Sequence, residues 1–541
     1  MTIRKVSANS FAAIDESHLF ARRQNGNATQ QLANGSSAVD RKSLAMKATL
    51  ALLALSVSAC SHIDPVALSK EEMRTQAQAT LAALEADVDN ISGELTLDEA
   101  LARGLKFNLD RRAKMMEEAI AFQVLDVTQY DMLPRLVAQA GYDWRDSDKL
   151  SQSVNADTGK LSESLFISEE RSGTISSLTL TWSILDMGVG YYASRQQADR
   201  VLIAAERRRK AMLLLMQDIR TAYWRAVSAQ RLLPEVTRTI RIAESALDDS
   251  RRVSEERVSN PLDALRYQRQ LLENLRLLES IAQELSSAEV ELASLINAPI
   301  GERLKLVEPS ETVDRRALSV PVQVMEETAM VANPDLREQI YNVRIASEET
   351  RSTLMRLFPN ITFNYGANYD TDKFQLNNDW RDAGAQISFN LFNLFTGPNQ
   401  IKLAEAGVRL ADQRRIAMQM AIVTQVHLAR QEYQNSLQQL GRADAIWQTD
   451  RNIAKITSER ADAALQGSLE RVANQTTSIL SQLRRYQALA QAQAAEARLQ
   501  ATVGIDPEIG SVDGVTLADL TAQIGQNGDV WRELKASGGS Q

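Results

Sequence analysis

The chain has 541 residues, a formal net charge of −8, 44% hydrophobic and 5% aromatic residues, and one cysteine. Acidic and basic residues are interspersed, which leaves no basic face for nucleic acid. Glycine and proline are scarce, 23 and 11, and so few aromatics mean an interior built mainly from Ala, Leu, Val and Ile.

The first feature in chain order is the cysteine. Arg41, Lys42 and Lys47 precede a short apolar stretch over 48–55, followed by Val57-Ser58-Ala59-Cys60. A basic region, a short apolar region and small residues before a cut describe a secretory signal, and the stretch is too short to span a membrane. With the cysteine just after the small residues, the segment resembles a bacterial lipobox, in which the Cys60 thiol is acylated and becomes the new N-terminus. The alternative is a buried free cysteine. Ser61 follows, where many inner-membrane lipoproteins carry aspartate. Met46-Lys47 opens a better signal than Met1 does, so the expected organisation is an extension and signal over 1–59, with the true start at Met46. A lipid-anchored segment then covers 60–94. No later run is apolar for the roughly 20 residues that a membrane helix needs.

Strands are expected at about 135–145 and 176–185. Leu136, Ala138, Ala140, Tyr142 and Trp144 share one face of the first, with Gln139 and Asp143 on the other. In the second, Leu178, Leu180, Trp182 and Ile184 alternate with Ser177, Thr179, Thr181 and Ser183. Two more strands are expected at about 360–370 and 384–392. There Ile361, Phe363, Tyr365, Ala367 and Tyr369, and then Ala385, Ile387, Phe389 and Leu391, alternate with small polar residues. One apolar face, one small-polar face and about ten residues per strand are the pattern of a transmembrane β-barrel. Tyr142, Trp144, Trp182, Tyr365, Tyr369 and Phe389 are the expected membrane-interface aromatics. A soluble hairpin over a core would explain one such strand, but not four in two matched pairs. The polar loop over 145–173 and the shorter one over 370–382 would then face outward.

After each hairpin a long helix is expected. From Gly190 to about Glu256, Ala198, Val201, Ala205, Met212, Leu215, Ile219 and Ala222 recur at coiled-coil-like steps. Ser259-Asn260-Pro261 breaks it, and a return helix runs towards Asn297-Ala298-Pro299. The second long helix starts near Pro398, breaks near Gln466-Gly467-Ser468 and returns to Gly504. These are two copies of one plan. Asn108-Leu109-Asp110 recurs as Asn333-Pro334-Asp335 and Leu133-Pro134 as Phe358-Pro359, at an offset of 225. Past the hairpin the offset is 207: Trp182 maps to Phe389, Gly190 to Gly397, Ile219 to Val426 and Leu262 to Leu469. The repeats are expected over 95–310 and 311–510, with a tail over 511–541.

Four strands cannot close a barrel, and open sheet edges are not tolerated in lipid. Several chains must pool their strands. Two would give about eight strands with a lumen filled by side chains, whereas three leave room for a polar conduit, so the geometry favours a homotrimer.

Taken in order, Leu97-Asp98-Glu99-Ala100-Leu101, the Asn333-Pro334-Asp335-Leu336 opening, Leu133-Pro134 and Trp182-Ser183-Ile184-Leu185-Asp186-Met187-Gly188 resemble the TolC-like outer-membrane efflux protein family over about 95–510. The resemblance implies a mainly α fold with a small transmembrane β part. Two tandem repeats of helix, hairpin, long helix and helix would assemble as a trimer, with a twelve-stranded β-barrel and a twelve-helix α-barrel. It further implies an outer-membrane, lipid-anchored exit duct extending into the periplasm, serving a tripartite efflux pump or type I secretion system. Its partners would be a periplasmic adaptor (membrane-fusion) protein and an inner-membrane transporter.

The same resemblance points to the two helix turns as adaptor-docking tips: Asn260, Pro261, Leu262 and Asp263, then Gly467, Ser468, Leu469 and Glu470. Leu262 and Leu469 are expected as exposed apolar positions. The plainer account is capping alone, with Asp263 favourable to the helix dipole. Relatives place aspartates at a periplasmic aperture just inside the second tip. Here the nearest positions are Arg471 and Asn474, which would make that ring basic, unless Arg471 is simply a solvated surface charge.

No catalytic residues, metal ligands or cofactor beyond a covalent lipid on Cys60 are expected. His427 stands alone on a long helix, and Gly188-Val189-Gly190 lacks the third glycine of a dinucleotide loop. Glu117-Glu118 and Glu169-Glu170 read as solvated faces. A lipid-anchored coiled-coil scaffold or an adhesin-like surface protein is the alternative function, though the scaffold would leave the amphipathic hairpins unused.

Overall fold

A computed structural model describes residues 67–85, 88–89, 91, 93–255, 261–308, 315–462, 468–505, 512, 514–526, 531–532 and 534–535. Cys60, Met46 and the signal-like segment, together with Asn260 and Gly467, lie outside those residues. The chain divides into two units, 1–80 and 81–541. The described part of the first opens helix α1 (Lys70–Glu85). A reciprocal cap starts that helix: the Glu72 amide donates to Ser69 Oγ, and the Ser69 amide donates to the Glu72 carboxylate.

The second unit is mainly helical. Its first helical arm is α2 (Leu97–Phe107) and α3 (Leu109–Gln129), and its later counterpart is α6 (Val322–Ala332) and α7 (Pro334–Met355). An asparagine interrupts each arm. Asn108 Oδ1 accepts from the Arg111 amide and Asn333 Oδ1 from the Asp335 amide, so each starts the helix that follows it. Each also donates through Nδ2 to the end of a return helix, Asn108 to the Leu295 carbonyl at 3.0 Å and Asn333 to the Thr502 carbonyl at 2.8 Å.

Between arms and return helices lie two long helices, α4 (Ile184–Glu255, 72 residues) and α8 (Asn393–Asp462, 70 residues). At 1.5 Å per residue each extends about 105 Å. The return helices are α5 (Pro261–Leu295) and α9 (Ser468–Val503). They end in matching left-handed residues, Asn297 at φ 52° and Gly504 at φ 79°. Glycine is required at the second: a Cβ there would sit 2.5 Å from the carbonyl carbon of Ala332.

Two short strands, β1 (Glu94–Leu95) and β6 (Lys305–Leu306), pair in parallel, and the buried Tyr223 hydroxyl reaches the carbonyls of Leu95 and Val307. Around them Leu101, Leu105, Ile219, Trp224 and Leu278 form the main core. Met325, Leu336, Val426, Tyr433 and Leu499 form the corresponding core of the second half. Burial pushes the Tyr223 hydroxyl pKa up, so it stays a neutral donor. The last described helix, α10 (Leu517–Gln526), packs on α2.

The main sheet has order β2-β5-β7-β8, all antiparallel: β2 Arg135–Trp144, β5 Ser172–Ser183, β7 Asn360–Asp370 and β8 Asp379–Ser388. It is open. The offsets found in the sequence reappear in its register, since Arg135 pairs with Thr181 and Asn360 with Ser388. A small hairpin, β3 (Leu150–Ser151) with β4 (Phe166–Ile167), occupies the first loop.

Two strand boundaries differ from expectation. The second strand begins at Ser172 and ends at Ser183, because Ser183 Oγ accepts from the Asp186 amide and starts α4 with Ile184 in the helix. The fourth runs over Asp379–Ser388 rather than 384–392. Asn390 Oδ1 accepts from the Phe392 amide, and the Asn390 carbonyl from the Asn393 amide, so the chain turns there into α8. Phe389 and Leu391 therefore lie beyond the strand.

Candidate functional site: the sheet and the helix tips

Side chains on the two faces of the sheet differ in kind. Trp182, Phe363 and Ala385 stand in one cross-strand row, and Leu136, Leu180, Tyr365 and Ala383 in the next. The opposite face carries Thr181, Asn364 and Gly384 in one row and Thr179, Gly366 and Asp382 in another. Glycine makes room on that polar face. A Cβ on Gly366 would lie 2.8 Å from Asp382 Oδ1, and one on Gly384 2.7 Å from Asn364 Oδ1. Asp382 thus lies flat across β7, where it accepts from Asn368 Nδ2. Both edge strands, β2 and β8, are exposed along all ten residues.

Tyr142, Trp144, Trp182, Tyr365 and Tyr369 are exposed on strands, and Phe389 is exposed just past β8. Sequence reading missed the apolar knob beyond it. Leu391, Phe392, Leu394 and Phe395 are all at least 64% exposed. The signal was the repeated Phe-Asn-Leu in 389–395, read as strand alternation because period two and a turn with two asparagines look alike over so few residues.

Beyond the end of the sheet opposite this knob, ion pairs hold the loops. Arg171 grips Asp148 through two nitrogens at 2.6 and 2.8 Å, Arg145 and Lys149 share Glu169, and Lys373 pairs with Glu170. These partners hold the Asp148 and Glu169 carboxyls below their ordinary range, mainly by hydrogen bonding from Arg171 and Lys149. The Glu169-Glu170 pair is therefore an anchor of the loops, not a solvated face. Glu118 likewise pairs with Arg208 at 2.5 Å, and Glu117 with Lys114 at 2.8 Å.

At the far ends of the long helices the two turns differ. Leu262 and Leu265 are 55% and 59% exposed, and Asp263 pairs with Arg266 at 3.6 Å. Pro261 and Ser468 are the first residues of α5 and α9. Leu469 is half-buried, packed with the cluster of Ala243, Leu247, Leu271, Leu275 and Val472. This corrects the expectation that it matches Leu262 in exposure: α9 brings Leu469 in against α4 and α5. Glu470 is exposed and Arg471 half-buried rather than solvated, while Asn474 Nδ2 donates to Thr457 Oγ1 at 3.1 Å.

No group of three metal-binding side chains occurs among the described residues. His427 has a neighbour, Glu326 Oε1 at 2.6 Å, a single carboxylate from α6. Gly190 opens no loop: it lies in α4, where a Cβ would meet Met132 at 3.2 Å, and Gly397 meets Leu357 in the same way at 3.4 Å.

A seam of charge joins the two halves. Along α4 and α7, Arg195 pairs with Glu348 at 3.2 Å, Arg344 with Asp199 at 2.7 Å and Arg337 with Glu206 at 2.6 Å. Arg207 with Glu338 and Lys210 with Asp335 continue it at 2.7 and 2.9 Å. Burial raises the Asp199 pKa, with Arg344 acting against that rise.

Residues 96–298 match the family model described as outer membrane efflux protein. Solved structures share the fold. A membrane protein from Pseudomonas aeruginosa is 16% identical with a TM-score of 0.57, over 78% of this chain and 92% of that one. The CmeC outer membrane channel of Campylobacter jejuni is 12% identical at 0.58, over 86% and 97%. The open state of the MtrE outer membrane channel of Neisseria gonorrhoeae is 16% identical at 0.56, over 75% and 88%. No curated protein sequence matches the chain. The resemblance to TolC-like outer-membrane efflux proteins thus stands in sequence over 96–298 and in fold over at least three quarters of the chain.

Proposed function

We propose that this chain is one of three copies forming an outer-membrane exit duct. Their sheets would pool into a twelve-stranded barrel and their long helices into a twelve-helix periplasmic tunnel. The duct would pass small molecules or polypeptide outward from a periplasmic adaptor and an inner-membrane transporter. The observation that carries this reading is the open sheet, apolar on one face and hydroxyl- and amide-bearing on the other, with two exposed edges of ten residues. In lipid such edges must be paired, and only closure through other copies does so. The family match and the pair of helices about 105 Å long support it further.

In this reading Cys60 carries the lipid, the repeats occupy 95–310 and 311–510, and the segments 60–94 and 511–541 flank them. The ion-paired loops face outward. The tips Asn260 to Asp263 and Gly467 to Glu470 meet the adaptor, with the exposed Leu262 as the apolar contact. Arg471 and Asn474 lie at the periplasmic aperture. The protein performs no chemistry of its own, and its role is conduction.

Leu262→Asp is the test. An exit duct loses export while the three-copy particle still forms, and restoring an apolar residue (Leu262→Met) rescues it. Unchanged export in the Leu262→Asp strain would remove the docking role, and a scaffold or adhesin would show that same indifference.

A further inference from the structure

We infer that the cleft between α4 and α8, at the level where α9 ends and α7 begins, is a lumenal binding site for amphipathic organic cations. The inference rests on the exit-duct reading and names a class of small molecule that the duct holds on its way out. The cleft exists because a line of helix is interrupted. Helix α9 ends at Val503 and α7 starts at Pro334, and they meet end to end through Asn333, whose Nδ2 donates to the Thr502 carbonyl at 2.8 Å. Both α7 and α9 pack on α4 and on α8. Between the two ends and the flanking long helices lies a cleft of about 440 Å³, lined from all four helices. Small-molecule sites commonly measure about 300–1,000 Å³. Leu213 and Leu214 of α4, Leu428 of α8 and Ala501 of α9 supply its apolar surface, and Leu214 and Leu428 are 47% and 58% exposed. All four helices belong to one chain, so each copy carries a whole site.

The side to which it opens follows from helix periodicity. At 3.6 residues per turn, the cleft residues Lys210 and Gln217 lie about 160–180° round α4 from Ile219, which packs against Gly104 of α2. Leu428 lies about 200° round α8 from Val426, which shares a core with Met325 and Ala329 of α6. The cleft is therefore on one face of the helical wall, and the layer of α2, α6 and α10 is on the other. Twelve helices about 10 Å apart ring a bore about 30 Å wide, and three copies of that layer placed inside would leave no conduit. The layer is outside, and the cleft faces the lumen.

Two ion pairs edge the cleft. Lys210 Nζ bonds both Asp335 oxygens at 2.9 Å, and Arg498 Nη1 donates to the Glu432 oxygens at 3.1 and 3.4 Å. The partners differ in freedom. The Lys210 and Arg498 side chains are 46% and 59% exposed, on long rotatable stems. Asp335 is 33% exposed, on a short arm in the first turn of α7, where the helix dipole favours a negative charge. An entering cation can displace Lys210 or Arg498 into the lumen water, because such exposed pairs contribute little and the stems can swing away. An entering anion finds the first turn of α7 already used. Pro334 has no N–H, and the amides of Asp335 and Leu336 both donate to Asn333 Oδ1. The chemistry thus fits an apolar body on the leucines with a positive head at Asp335 or Glu432. Exchangeable partners also let the ligand leave, as conduction requires.

Dye binding to the full-length protein in phosphatidylcholine nanodiscs tests it, read by fluorescence anisotropy with empty discs subtracted. Rhodamine 6G, with an apolar ring body and one positive charge, should bind saturably, and the anion fluorescein far more weakly. Glu432→Gln should weaken rhodamine binding about tenfold, the size of one hydrogen bond to a charged group. Ala501→Trp, which fills the cleft, should abolish it. Leu428→Ser changes an exposed residue and should weaken it about fivefold through lost apolar burial, which keeps the test decisive if the tryptophan variant fails to fold. Equal binding of the two dyes, or rhodamine binding unmoved by Leu428→Ser, overturns the site. The address is read by labelling Gln425→Cys above the background of the unsubstituted protein. A small charged maleimide should react, and a maleimide carried on serum albumin, too wide for the bore, should not. Reaction with both in a three-copy particle overturns the lumenal placement. A three-copy particle that holds no dye overturns the site and leaves the duct standing. A single-copy particle overturns the duct reading, and the lumenal site with it, even if the dye still binds.

Discussion

The flank of α4 that meets α7 and the corresponding flank of α8 share a backbone plan and differ in what they offer a neighbour. On α4, Arg195, Asp199 and Glu206 find partners on α7. On α8 the equivalent stretch is Lys402, Ala406 and Gln413, with Leu403 and Phe395 standing open beside it. A contact made within one chain forms at high effective concentration and can tolerate the desolvation cost of charge. A contact made between chains must overcome the loss of translational freedom, and apolar burial at roughly 25 cal/mol per Å² is the more dependable source.

The largest effect should come from charging the open flank. Leu403→Asp with Phe395→Asp should abolish the three-copy particle in detergent while leaving far-ultraviolet circular dichroism unchanged. Arg195→Ala on the closed flank should leave copy number as it is. The reverse pattern would break the contrast between the flanks.

Next in size is Gly504→Val. The positive φ and the 2.5 Å approach to the Ala332 backbone should cost about 3 kcal/mol in chemical denaturation. Asn297 occupies the matching turn at φ 52° with a side chain already present, so Asn297→Ala should cost no more than about 1 kcal/mol.

Arg344→Ala leaves the Asp199 carboxylate buried without its cation, a loss of about 1–3 kcal/mol near neutral pH. The sign of its pH dependence follows from burial, which raises the folded pKa of Asp199. Folding then favours the protonated acid, so this contribution is full below the unfolded pKa, about 3.9, and is lost as pH rises through the folded value. Without Arg344 that value rises further, so the deficit should be largest at neutral pH and shrink in acid. Denaturation at pH 7 and pH 4 measures it.

The smallest effect lies in the outer loops, with the opposite sign. Asp148 and Glu169 have lowered pKa values, so their ion pairs persist above the ordinary carboxylate range and are lost as pH falls through the folded values. Proteolytic nicking within 145–171 should rise only below about pH 4, and Asp148→Asn should bring the same sensitivity to neutral pH.

Much of this was legible in the sequence because it rests on periodicity and repetition. The offsets of 225 and 207 came from Asn108 and Asn333, Gly190 and Gly397, and each recurs as an observed contact. Three of the four strands began within about four residues of the expected place. The fourth slipped because Asn390 and Asn393 close a turn that alternation alone does not reveal. Leu469 looked like Leu262 because both stand after a helix break, yet its burial depends on α4 and α5, far away in sequence. The ionic seam was not visible at all, since Asp199 and Arg344 on separate helices each read as ordinary surface charge until the fold brings them together.

The central claim is that separate chains complete one barrel. Cryo-electron microscopy of the full-length protein, extracted from outer membranes in detergent, tests it most directly. A three-fold tube with twelve strands and helical walls of about 100 Å is the predicted result. A particle containing a single copy, with β2 and β8 still unpaired, would contradict it.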